Sequence, residues 1–230
     1  MGNVKLLPAA FFLVLSLCGF LIAQQHPPPS VTGNGKLAST VTAQEIAESG
    51  TFDGSVYRNK SLGFSLSIPK TWSLISDDMN KAGLETGRKL ITEGQSADKE
   101  QALNASIART RVLFQAYPST SPLGTTGLLA CGVERTPDGI TQDQYAAENL
   151  RLLQESSLKA QLTKSIYKTN VGGKSFSAFD VQIVRGDMTM DQTYYIHMRR
   201  GVAFFFVLTR YDRSYEKQLA DVLTRLSFED

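Results

Sequence analysis

The sequence predicts an α+β fold, an α-β-α sandwich around a mainly antiparallel sheet, and three observations carry that prediction. The segment Gly63-Phe64-Ser65-Leu66-Ser67-Ile68 alternates apolar and polar residues, the mark of a strand with one wet face. The run Val202-Ala203-Phe204-Phe205-Phe206-Val207-Leu208 is apolar on both faces, which predicts a central strand covered from both sides. Capped segments beginning at Thr141 and Ser214 carry apolar residues at helical spacing and supply helices to cover it.

The elements follow in order. Val56-Tyr57-Arg58 forms a short strand, and Asn59 to Leu62 turns the chain into Gly63–Ile68. Pro69 removes a backbone donor and stops the ladder, so Trp72, the one tryptophan, folds back over the strand's end. Ser76 caps a helix with Asp77 and Asp78 at the positive end of its dipole, while Gly83, Gly87 and Gly94 weaken it. A polar excursion, Gln95 to Ser106, comes next. Arg111–Tyr117 and Gly127–Val133 read as strands joined by a Pro- and Gly-rich connection. Thr141 and Gln144 form a capping box for a helix reaching about Ser157, with Tyr145, Ala146, Leu150 and Leu153 on one stripe. Four strands follow: Leu162–Asn170, Lys174–Val184, Met188–Met198 and Val202–Thr209, the first two joined by the hairpin glycines Gly172-Gly173. A last helix after Ser214 turns Leu219, Val222, Leu223 and Leu226 inward.

Before this domain, residues 6–23 form an uncharged apolar run after Lys5, and Gln24-Gln25-His26-Pro27-Pro28-Pro29 ends it abruptly. This pattern predicts a secretory signal over 1–23 with Ala23 as the cleavage residue. Leu21 stands where a small side chain is usual, so a retained signal anchor, a membrane tether through 6–23, is the alternative. Leu17 before Cys18 is too bulky for a lipoprotein attachment site. Residues 24–50 read as a flexible Pro/Gly/Ser tether holding one short helix from Thr42, and 51–230 as the folded domain. The chain is therefore expected to be exported, periplasmic or secreted. Cys131 alone remains after removal of the signal, so no internal disulfide forms and the core must hold the fold. Lys and Arg total 24 against 22 Asp and Glu, scattered without a basic stripe, which argues against nucleic acid as a partner.

Tyr57-Arg58-Asn59, Gly63-Phe64, Ile68-Pro69 and Trp72 resemble the opening signature of the PsbP-like superfamily: a Tyr-x-Asn step, a Gly-Phe strand and a Pro-x-x-Trp corner. That superfamily includes photosystem II accessory proteins, a Ran-binding nuclear-import factor and bacterial envelope lipoproteins of the DcrB kind. The resemblance runs over roughly residues 55–230. It implies an α-β-α sandwich, no enzymatic activity, and a role as an assembly or interaction module. Tyr57, Asn59, Gly63, Phe64, Pro69 and Trp72 are its structural signature, and they report packing. Metal sites of some plant members have no matching ligand positions in this chain.

Reactive side chains are scarce. Two histidines exist, His26 in the tether and His197 in a strand, where Tyr195 and Arg199 share its side. The strip Tyr195, His197 and Arg199 is the candidate binding surface for an acidic ligand or partner; the alternative is an ordinary polar face under a covering layer. Cys131 sits in an apolar strand and behaves as a small hydrophobe unless His197 stands beside it. One histidine and one cysteine cannot build a tetrahedral nitrogen/sulfur site alone, and no cofactor is predicted. Arg185-Gly186-Asp187 is explained by turn chemistry, and Asn59-Lys60-Ser61 and Asn104-Ala105-Ser106 are short glycosylation patterns of the kind chance produces. The leading expectation is a non-catalytic envelope module that binds another envelope protein or a small ligand. A hydrolase using His197 with Cys131 or a serine, and a purely structural surface-tethered module, are the alternatives.

Overall fold

The computed structural model describes residues 42–92, 96–97, 101, 104, 109–118, 127–136, 139–156, 158, 160–185, 188–199 and 201–229. The signal segment, His26, most of the tether and of the polar excursion, and Gly186 and Asp187 of the predicted turn lie outside the described residues.

Helix α1 (Ala43–Glu48) leads into strands β1 (Gly50–Asp53), β2 (Val56–Asn59) and β3 (Phe64–Ser67), then β4 (Trp72–Leu74) and helix α2 (Asp77–Thr92). Strands β5 (Thr110–Pro118) and β6 (Gly127–Arg135) precede helix α3 (Gln142–Glu155). The meander β7 (Gln161–Val171), β8 (Lys174–Arg185), β9 (Met188–Arg199) and β10 (Val202–Arg210) ends in helix α4 (Glu216–Leu223) and β11 (Leu226–Phe228). The strands form two sheets, one of four in the order β1-β2-β3-β11 and one of seven in the order β4-β5-β6-β10-β9-β8-β7. The described strand pairs in both sheets are antiparallel. This is the predicted α+β class.

Strand β10 lies inside the large sheet, paired to β6 on one side and β9 on the other. Every residue from Val202 to Thr209 is buried, so the continuous apolar run is a strand covered on both faces. Alternation then divides its side chains between two cores. Val202, Phe204, Phe206 and Leu208 join Tyr57, Phe64, Leu66 and Trp72 on the side of the small sheet. Ala203, Phe205 and Val207 join Tyr145, Ala146 and Leu153 of α3 on the other. Phe64 and Phe204 meet with ring centroids 4.5 Å apart, and Tyr57 meets Phe114 at 4.6 Å. Fully burying such a side chain contributes about 1.5–3 kcal/mol. The layer opposite α3 thus differs in detail from the predicted helices, because a second sheet covers much of that face, flanked by α1 and α4.

Three local differences have physical causes. Residues 42–50, placed in the tether by composition, belong to the packed unit: Ala43 and Ile46 of α1 are buried in the core. The capping box is present, with Thr42 Oγ1 accepting from the Glu45 amide at 3.1 Å and Glu45 Oε2 accepting from the Thr42 amide at 2.6 Å. Ser214 does not cap the last helix; Asp212 accepts from the Ser214 amide at 2.8 Å and starts a single turn of tighter helix before α4. Leu226 lies beyond that helix, since Leu226-Ser227-Phe228 alternates and pairs with Phe64-Ser65-Leu66 of β3. Helix α2 runs through Gly83 and Gly87, which are buried four positions apart on one face.

Candidate functional site

The predicted strip separates into two environments. Tyr195, His197 and Arg199 do lie on one side of β9, opposite Phe206, Phe204 and Val202 of β10, and that side faces the small sheet. His197 Nδ1 sits 3.0 Å from the Ser175 carbonyl, an acceptor, which places the proton on Nδ1. Its ring packs 5.0 Å from Phe176 and 5.8 Å from Phe228. Burial lowers its pKa below the ordinary histidine value, opposed by the bond to Ser175 and assisted by the nearby Arg199 and Lys174 charges. Arg199 Nη2 donates to the Glu229 carbonyl at 3.3 Å, and its guanidinium lies 5.4 Å from the centroid of Phe228. His197 and Arg199 are therefore occupied in holding β11 against the large sheet.

Tyr195 points to a different neighbourhood. Burial, then the Asp180 carboxylate, raises its pKa, and the same two causes raise that of Tyr167, whose ring also carries Lys164 Nζ at 3.7 Å. Arg210 opposes both shifts. This cluster of Tyr167, Asp180, Tyr195 and Arg210 was not predicted. Its signal was one charge, Asp180, between Phe179 and Val181 in a strand whose neighbours are apolar.

Cys131 does not meet His197. In register it stands between Phe114 of β5 and Phe206 of β10, and β10 separates it from β9. Complete burial pushes its thiol well up, so it stays protonated at neutral pH. A Cys131–His197 pair is thus ruled out by register and by burial. Among the described residues no three His, Cys, Asp or Glu side chains are grouped to hold a metal ion.

The signature residues explain one another. Asn59, only 1% exposed, donates to the Ile46 carbonyl at 2.7 Å and accepts from the Leu62 amide at 2.9 Å and from Ser49 Oγ at 3.0 Å. It therefore joins α1, the turn and β2. Gly63 has φ +59°, and a Cβ there would meet Arg199 Nη2 at 3.0 Å and the Glu229 carbonyl at 3.3 Å. Pro69 accepts from the Trp72 amide at 2.9 Å, and this corner carries the chain out of the small sheet and into β4, the edge of the large one.

That corner bounds a cleft of about 310 Å³, lined by Phe52, Ile68, Pro69, Lys70, Trp72 and Leu74 together with the Gly54-Ser55 turn. It opens between β1 and β4, edge strands of the two sheets. Its volume falls at the low end of ligand-pocket sizes, about 300–1,000 Å³. Trp72 is 7% exposed, and its buried Nε1–H has no acceptor among the described residues. A buried donor left in that condition costs about 1–3 kcal/mol. Leu74 is 45% exposed although large and apolar. The predicted strip supplied none of these walls; the Pro-x-x-Trp corner, read as packing alone, supplied Pro69, Lys70 and Trp72.

Comparisons by sequence match no protein-family profile and no curated protein. By structure, the chain is similar to cyanobacterial PsbP from Synechocystis, with 12% identity, 85% of this chain and 99% of that one covered, and a TM-score of 0.49. It is also similar to a protein of unknown function from Pseudomonas aeruginosa, with 15% identity over 45% of this chain and 74% of that one and a TM-score of 0.41. A third likeness is to LpqN of Mycobacterium tuberculosis, a protein involved in cell envelope biogenesis, with 13% identity over 84% and 100% of the two chains and a TM-score of 0.40. The likeness is one of chain path; it gives the cleft no ligand and the chain no activity.

Proposed function

We propose that this protein is an exported, non-catalytic module that binds a small ligand. Export is supported by the apolar run 6–23 and the polar, proline-rich residues that end it. A non-catalytic role is supported by the employment of its reactive groups: Cys131 is sealed in the core, and His197 is tied to the Ser175 carbonyl under Phe228. The observation that carries the binding role is the cleft at the Trp72 corner, concave and mostly apolar. Enzymatic use of His197 would need a nucleophile that the geometry does not bring to it from Cys131.

The test is a thermal-shift screen of the full chain against small envelope-soluble compounds, with each hit followed for chemical change. The expected result is a saturable rise in melting temperature with the ligand recovered intact, equally in wild type and in His197→Gln. Ligand turnover abolished by His197→Gln would contradict the reading, and a screen without any saturable hit would favour the purely structural module.

A further inference from the structure

Helix α1 joins the two sheets without belonging to either. It packs on β5 and β6 of the large sheet, where Gln44 Oε1 accepts from Arg111 Nε at 2.7 Å. Its far end is moored to the small sheet: Asn59 Nδ2 of β2 donates to the Ile46 carbonyl at 2.7 Å, and Asn59 Oδ1 accepts from Ser49 Oγ at 3.0 Å. Ser49 also holds the turn after β2, its Oγ accepting from the Ser61 amide at 3.2 Å and its carbonyl from the Lys60 amide at 3.4 Å. Little buried surface stands behind these moorings. Of the six residues of α1 only Ala43 and Ile46 are buried, whereas β10 is buried from Val202 to Thr209. So short a helix is not stable by itself, and it exists only while docked. Elements with few buried apolar contacts open at a lower free energy than the core they rest on. Pairing of β1 with β2 begins at Gly50 and Asn59, so α1 can leave without breaking any strand pair. Gly50, the joint itself, is the freest kind of backbone.

We infer that residues 42–49 form a releasable clasp. They detach as one unit, losing the bonds at Ser49 and Asn59 together, while both sheets and the other helices stay folded. Residues 1–41 join the domain through Thr42, so a load or a partner acting on that stretch reaches α1 before any strand. Release uncovers the flank of the core where Ala43 and Ile46 sit with Tyr57, Phe114 and Leu129. The clasp thus makes access to the space between the sheets answer to events on the N-terminal stretch, independently of any ligand at the Trp72 corner.

Amide hydrogen exchange of the full chain tests this. The Ile46 and Ser49 amides donate to the Thr42 and Glu45 carbonyls, and the Ser61 amide donates to Ser49 Oγ. All three are expected to share one protection factor, at least about tenfold below those of Phe205, Phe206 and Val207 in β10. Low urea lowers protection in β10 and leaves these three nearly unchanged, since detaching so short a segment exposes little surface. Leu153→Ala, in the core on the opposite face of the large sheet, lowers β10 protection by at least about a hundredfold and leaves the three unchanged. Equal urea slopes, or protection at Ile46 and Ser49 falling in step with β10 in Leu153→Ala, makes α1 part of one cooperative unit and overturns the inference. Protection at Ser61 that outlasts that of α1, or no protection at Ile46 and Ser49, overturns it as well. If Leu153→Ala does not fold, the urea series on the wild-type chain decides alone.

Discussion

At the scale of single residues, the chain's polar side chains are spent on joining its parts. Asn59 is the clearest case, because four partners meet on one amide: the Ile46 carbonyl and Ser49 hydroxyl at the end of α1, the Tyr57 hydroxyl of β2 and the Leu62 amide of the turn. Asn59→Ala strands the Leu62 amide in the interior, at a cost of about 1–3 kcal/mol, while the Ile46 carbonyl keeps the Ser49 hydroxyl and amide as donors. We expect a loss of about 1–3 kcal/mol in urea unfolding of the full chain, with a change within about 0.5 kcal/mol, the surface norm, contradicting that account. His197 contributes a pH signature of known sign. Its folded pKa is lowered by burial, so the unfolded chain binds more protons once pH falls below about 6.5, the free histidine value. Its contribution is therefore full above that pH and is lost as pH falls through the folded pKa. His197→Gln, which keeps a donor for Ser175 but does not titrate, should flatten the melting-temperature profile on the acid side of neutrality; an unchanged slope would show that the group does not report burial.

At the scale of elements, period and capping were legible and assignment to layers was not. The alternation in β3, the two-faced apolar run of β10, the hairpin between β7 and β8 and the capping box of α3 each state a local preference that the fold keeps. Helix α1 shows where local reading stops. Its composition is polar, and the segment before it is rich in Pro and Gly, so it reads as part of a lead-in. Only two of its residues are buried, yet they reach the core beside Tyr57 and Leu129, and Gln44 Oε1 accepts from Arg111 Nε at 2.7 Å. A helix of one or two turns cannot announce a tertiary role through periodicity, because so few positions repeat. Ile46→Ala should cost about 3 kcal/mol by the cavity it leaves, measured by urea unfolding. A neutral result would return residues 42–50 to the tether. Leu226 is the converse: apolar spacing extended the last helix, but three alternating residues beside an open edge of the small sheet were drawn into that sheet instead.

At the scale of the whole molecule, two apolar layers share one strand, and that arrangement decides where function can reside. Face alternation in β10 commits Phe204 and Phe206 to the small sheet and Phe205 to α3, so the large sheet's centre is closed on both sides. Chemistry placed there, Cys131 above all, is inaccessible. Edge strands β1 and β4 of the two sheets both contribute walls to the cleft, and the Pro69–Trp72 crossover between the sheets lines it as well. The residues of the cleft were visible in the sequence as a corner signature, but a cleft arises from two sheets meeting, and no window of local sequence contains that fact. The central claim is that binding occurs at this junction and not along the face of β9. Amide chemical-shift mapping of the full chain with the saturating ligand from the thermal screen tests it directly. Perturbations gathered on Phe52–Ser55 and Ile68–Leu74 are the predicted result, whereas perturbations centred on Ser175 and Tyr195–Arg199, with the Trp72 corner silent, would contradict it.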